Sequence, residues 1–175
     1  MPLPILIAYV TRGGSTAEVA EAIATSLRAE GLTADVLPMS RLDSLEGRTT
    51  LILGAPLYIG RLPDEFHKFV ERHHQALAAL RPWCFVLGPT RVLPGDFEAA
   101  RNQAKKQLDR YPWLLPAEVQ IFGGRYDMKH LPFPFSIVRH IPLFPANKIP
   151  GSDIRDWVAI RKWAIAIAHQ LKPAA

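Results

Sequence analysis

A chain of 175 residues, 49% hydrophobic and 21% charged, suffices for one domain over 1–175 with a sizeable core. A single cysteine, Cys84, excludes an intrachain disulfide; no apolar run approaches the roughly 20 residues that cross a bilayer, and no leader pattern opens the chain. Residues 1–80 carry seven Lys/Arg against nine Asp/Glu (−2) and 81–175 fourteen against seven (+7), which sum to +5 and direct the second half toward anionic partners. A cytoplasmic protein is expected, with peripheral contact at the inner membrane face. Nucleic acid is not expected as a partner, because no recognition motif accompanies the charge.

The apolar run "PILIAYV" (4–10) does not alternate, and reads as a strand buried on both faces. In "TAEVAEAIATSLRAEG" (16–31), Val19, Ala20, Ile23, Ala24 and Leu27 fall at helical spacing, and Gly31 is placed to end the helix. "LTADVLP" (32–38) and "RTTLILGAP" (48–56) are the second and third strands. "DEFHKFVERHHQAL" (64–77) is a helix begun by Pro63, with Phe66, Phe69, Val70 and Leu77 inward and His73 and His74 on its wet side or end. "WCFVLG" (83–88) is a fourth strand, "DFEAARNQAKKQLDR" (96–110) a helix with a basic face, and "AEVQIFGG" (117–124) a fifth strand. "DIRDWVAIRKWAIAIAHQL" (153–171) closes the chain as a helix. This alternation predicts an α/β fold: a doubly wound, five-stranded parallel sheet of order 2-1-3-4-5 with helices on both faces. One connection, about 125–152, is too long for the rhythm and carries five prolines, three phenylalanines and Arg125, Lys129, Arg139 and Lys148; connections of that length are usually functional.

Ligands of such sheets bind where strand order reverses, here between strands 1 and 3, framed by loops 11–16, 55–62 and 88–95. In the first loop Gly13 and Gly14 let backbone N–H groups face inward, Thr11, Ser15 and Thr16 add hydroxyls, and a helix N-terminus follows. Together they predict a phosphate site. Ser15 and Glu18 also spell a capping box. Neither a Walker loop, which needs Gly-Lys-Ser/Thr, nor a G-x-G-x-x-G fingerprint is present. A phospho-acceptor reading fails too, because Thr11, Arg12 and the Gly54, Ala55, Pro56 run stand where it needs acids. The six histidines lack metal-ligand spacing, so no metal is expected.

The motif "TRGGST" resembles the flavodoxin phosphate loop, T-x-T-G-N-T, departing at Gly13 and Ser15. "VTRGGST" (10–16) is more similar to the S-T-R-x-G-x-T loop of the flavodoxin-like, menaquinone-dependent protoporphyrinogen dehydrogenases. "GAPLYIGRLPDEFHKFVERH" (54–73) looks like that family's second loop and helix, "DWVAIRKWAIAIAH" (156–169) like its closing helix, and the long connection is placed as in that family. The resemblance implies flavin mononucleotide (FMN) as cofactor, with Thr11, Arg12, Gly13, Gly14, Ser15 and Thr16 around its phosphate. Pro56, Leu57, Tyr58, Ile59 and Gly60 would lie beside the flavin ring, and Pro89, Thr90 and Arg91 on its other side. It implies oxidation of protoporphyrinogen IX with a quinone as acceptor, and Arg125, Tyr126, Lys129 and Arg139 as contacts for the tetrapyrrole substrate. A small electron-transfer flavodoxin and a flavin-free binding module are the alternatives. The basic pI, ≈ 9.6, speaks against the carrier, since carrier flavodoxins are acidic as a group.

Overall fold

β1 (Ile5–Tyr9), β2 (Ala34–Pro38), β3 (Leu51–Pro56), β4 (Trp83–Leu87) and β5 (Glu118–Phe122) form a parallel sheet in the order β2-β1-β3-β4-β5. The computed structural model describes residues 4–126 and 151–172. β1 lies between β2 and β3, with Ile7 opposite Val36 and Ile52. An inner strand of this kind is covered on both sides, which is why its apolar run is unbroken.

Successive side chains leave opposite faces of a strand, so β1 divides itself between two cores. Ile5 and Ile7 pack with Val19, Ile23 and Leu27 of α1 (Ser15–Ala29) and with Ile160, Trp163 and Ile167 of α5 (Trp157–Leu171). Leu6 and Ala8 face the other way, toward α2 (Asp64–Arg72), α3 (His74–Leu80) and α4 (Asp96–Leu108), which supply Phe66, Phe69, Val70, Leu77, Ala100 and Ala104. Burying each Leu, Ile or Phe here contributes about 1.5–3 kcal/mol before the entropy of ordering it is counted. Gly54 is glycine because the fully buried ring of Phe85 sits on it: a Cβ there would stand 2.2 Å from Phe85 Cζ. Cys84 is a core thiol, and burial pushes its pKa up to about 12.

Three local expectations change. The helix expected over 64–77 breaks at His73 into α2 and α3. That side chain is not on a wet face but buried, with Nε2 3.3 Å from the Leu42 carbonyl and its ring against Phe69. The closing helix begins at Trp157 rather than at 153, because Asp156 caps it by accepting from Val158 and Ala159 N–H at 2.9 Å each. The residues before it join a ladder that the sequence did not signal. β6 (Arg125–Tyr126) pairs antiparallel with β7 (Ser152–Asp153), so the two ends of the long connection lie side by side.

Candidate functional site

The first loop leaves β1 as Val10 N–H donates to the Gly54 carbonyl at 2.9 Å. Gly14, at φ +82°, is the N-cap of α1 and offers no side-chain acceptor. Ser15 is already helical, so the Ser15–Glu18 capping box does not form. The carboxylate of Glu18 instead faces Arg125 and Arg155, at 2.8 Å from each. Among the described residues no side chain caps α1, so its first N–H groups stay available as donors at the positive end of the helix dipole. Thr16 is completely buried, and among the described residues Thr16 Oγ1 and Thr11 Oγ1 have no hydrogen-bond partner. A buried hydroxyl left unpaired costs about 1–3 kcal/mol, so two in one loop mark a place that an acceptor fills. A phosphate offers acceptor oxygens on several sides and suits this donor set.

The second loop is held by its own backbone. Leu57 N–H donates to the Leu87 carbonyl at 2.8 Å, and Tyr58 and Arg61 exchange both main-chain hydrogen bonds at 2.9 Å. Between them Ile59 and Gly60 take φ +48° and +74°, the left-handed pair of a two-residue type I′ turn. Gly60 suits that conformation; the β-branched Ile59 does not, and it is 90% exposed. The Arg12 guanidinium carbon stands 5.6 Å from the centre of the Tyr58 ring, so the first two loops touch. Burial raises the Tyr58 phenol above its ordinary pKa, against a smaller opposing pull from Arg12.

The third loop is tied down from β5 and β7. Gly124 N–H donates to the Pro89 carbonyl at 2.7 Å and Ser152 Oγ to the Thr90 carbonyl at 2.7 Å. Between the second and third loops lies a cavity of ≈ 320 Å³, lined in part by Leu57, Gly60, Thr90 and Arg91. Asp96, Ala99, Ala100 and Gln103 of α4 complete its wall. The sequence marks that helix only by its basic face; the i, i+3, i+4, i+7 spacing of these four is the signal that places them on one side.

Arg125 lies against the first loop, pairing with Glu18 and donating through Nη2 to the Gly13 carbonyl at 3.0 Å. Tyr126 pairs with Ser152 in the β6–β7 ladder. Lys129 and Arg139 lie outside the described residues. Glu18, Asp153 and Arg155, which meet beside the first loop, were not foreseen.

A profile of the Flavodoxin domain matches residues 6–136. The chain belongs to the flavodoxin domain family. Its sequence is 31% identical over 171 residues to the protoporphyrinogen IX dehydrogenase [quinone] of Escherichia coli strain K12, covering 94% of each chain. Among solved structures, oxidised flavodoxin 2 from Bacillus cereus superposes with a TM-score of 0.63 at 23% identity, covering 97% of this chain and all (100%) of that one. Flavodoxin 1 from the same organism gives 0.61 at 16%, with 97% and 100% covered. These likenesses bear out the predicted sheet order and the flavodoxin-like fold, and FMN is the cofactor this flavodoxin family implies.

Proposed function

We propose that this protein is an FMN-dependent oxidoreductase that converts protoporphyrinogen IX to protoporphyrin IX and passes the electrons to a quinone, a step of haem biosynthesis. Two buried threonine hydroxyls without partners among the described residues, at a helix N-terminus with no side-chain cap there, support the cofactor assignment. The single observation that carries the substrate assignment is the 31% identity running through 94% of both chains.

In this reading Thr11 and Thr16 hydroxyls and the N–H groups of Gly14 and Ser15 hold the phosphate, with Arg12 at its rim. Tyr58 and the backbone of Pro56, Leu57, Ile59 and Gly60 shape one side of the ring site, and Pro89, Thr90 and Arg91 the other. Bound FMN supplies the electron transfer; the chain supplies orientation, exclusion of water and the charge around it. Arg91, on the cavity wall, suits a substrate carboxylate better than Arg125, which Glu18 and the Gly13 carbonyl already engage. Lys129 and Arg139, together with the basic second half, remain proposed partners for carboxylates and an anionic membrane face. Among the described residues no helix is long and apolar enough to cross a membrane.

The test is an anaerobic assay with FMN-loaded protein, protoporphyrinogen IX and a quinone, followed by porphyrin fluorescence. Fluorescence that depends on both enzyme and quinone is expected. Flavin-loaded protein that yields none would point instead to an electron carrier.

A further inference from the structure

Three stretches far apart in sequence meet behind the first loop. At Gly123 a Cβ would stand 2.2 Å from the Ile154 carbonyl oxygen, and Ile154 N–H donates to the Gly124 carbonyl at 3.1 Å. That close approach seats Asp153 and Arg155 beside the end of β5. Arg155 is 8% exposed; Nε and Nη2 donate to the two oxygens of Asp153 and Nη1 to Glu18 Oε2 at 2.8 Å. The Trp157 ring covers the guanidinium, with its centre 4.5 Å from Cζ. Glu18 uses its other oxygen for Arg125 Nη1, also at 2.8 Å, and Arg125 Nη2 reaches the Gly13 carbonyl.

Two guanidinium groups and two carboxylates cancel, so the array brings no net charge to the loop. What it brings is direction. The Gly13–Gly14 peptide unit is planar and trans, so a carbonyl fixed toward Arg125 aims the Gly14 N–H the opposite way. Two adjacent glycines would otherwise let that peptide rotate at little cost. We propose that Glu18, held between Arg125 and Arg155, is a positioning residue: it sets the Gly13–Gly14 peptide so that the loop presents N–H rather than C=O to the cofactor's phosphate. This rests on the FMN reading. It assigns a carboxylate beside an anion site a favourable role, which charge alone would not.

That sign makes the test. Glu18→Gln keeps the shape, removes one negative charge and takes the charged partner they share from Arg125 and Arg155. If the array acts through charge, FMN binds more tightly; if it positions the peptide, FMN binding weakens by about tenfold, as expected when charge-assisted bonds are lost. Riboflavin lacks the phosphate and serves as the control. Flavin-fluorescence titration of wild type and variant with both ligands should show the FMN constant rising while the riboflavin constant holds. Equal weakening of both ligands, no change, or tighter FMN binding each overturns the proposal. Should Glu18→Gln not fold, Glu18→Asp retains the charge and shortens the reach: the same selective loss is expected, and unchanged FMN preference overturns the clasp. A wild type with no preference for FMN over riboflavin defeats the cofactor reading and the clasp with it. A wild-type preference that persists in the variants defeats the clasp alone.

Discussion

The first and second loops meet where Arg12 lies over the Tyr58 ring, and they keep their shapes by opposite means. The first is built from glycines and small hydroxyl residues, and is braced from behind by Arg125, from 112 residues away in sequence. The second closes on itself within four residues, through paired backbone bonds between Tyr58 and Arg61, and holds Ile59 in a left-handed conformation. One loop keeps unpaired donors ready and relies on distant side chains; the other satisfies its own backbone and stores local strain. The contrast fits a pocket in which a charged group must be gripped at one end while a flat group rests against a fixed edge at the other.

The sharpest way to break this contrast is to remove the unpaired donors. Thr11→Val together with Thr16→Val should weaken FMN binding by at least about a hundredfold, since hydrogen bonds to a charged group contribute roughly 1.5–3 kcal/mol each. The flavin-free protein should meanwhile lose no stability, because the two buried hydroxyls have nothing to lose; a lower melting temperature in the flavin-free double variant would contradict their unpaired state. In the second loop, Ile59→Asn should raise stability by about 1 kcal/mol, because asparagine tolerates the left-handed region that a β-branched residue resists. A fall in Tm would show that Ile59 is not strained. The smallest effects separate the loops by pH. The Arg155 side chain, hydrogen-bonded to Asp153, holds that carboxyl below its usual range. Its contribution to stability is therefore present above the ordinary value near 3.8 and is lost as pH falls through the depressed one. Tyr58 does the reverse at the alkaline end: burial raises the phenol, so the unfolded chain ionises first and stability declines only as pH rises past about 10. Glu30 at the acid end, and Tyr111 and Cys84 at the alkaline end, shift in the same directions, so denaturation curves of Asp153→Asn and Tyr58→Phe should each show one limb made shallower; a variant with both limbs unchanged removes its residue from the argument.

Much of this architecture was legible. Unbroken apolar runs such as 4–10 and the helical spacing of Val19, Ile23 and Leu27 specified strands and helices, because burial on two faces or one stripe leaves a one-dimensional trace. The glycines and threonines of the first loop spell, for the same local reason, the run of small donors that the structure sets at the start of α1. What escaped was long-range. Nothing near Glu18 indicates that it turns away from a capping box toward Arg125 and Arg155, and nothing near His73 indicates that the Leu42 carbonyl waits for it. The cavity wall of α4 was hidden differently, since Asp96 and Gln103 look like solvent residues until the second loop is placed opposite them.

The small ladder of Arg125 with Asp153 and Tyr126 with Ser152 has a consequence for how the protein can change. It brings the chain back to within a few ångströms of its point of departure, on the order of the 4.5–5.5 Å between antiparallel partners. The number of residues spliced between Tyr126 and Ser152 is thereby uncoupled from the frame, and doubling that number would cost only about 0.6 kcal/mol in closure entropy. Stretches lengthened at this position should therefore leave the pairing of Arg125–Tyr126 with Ser152–Asp153 in register.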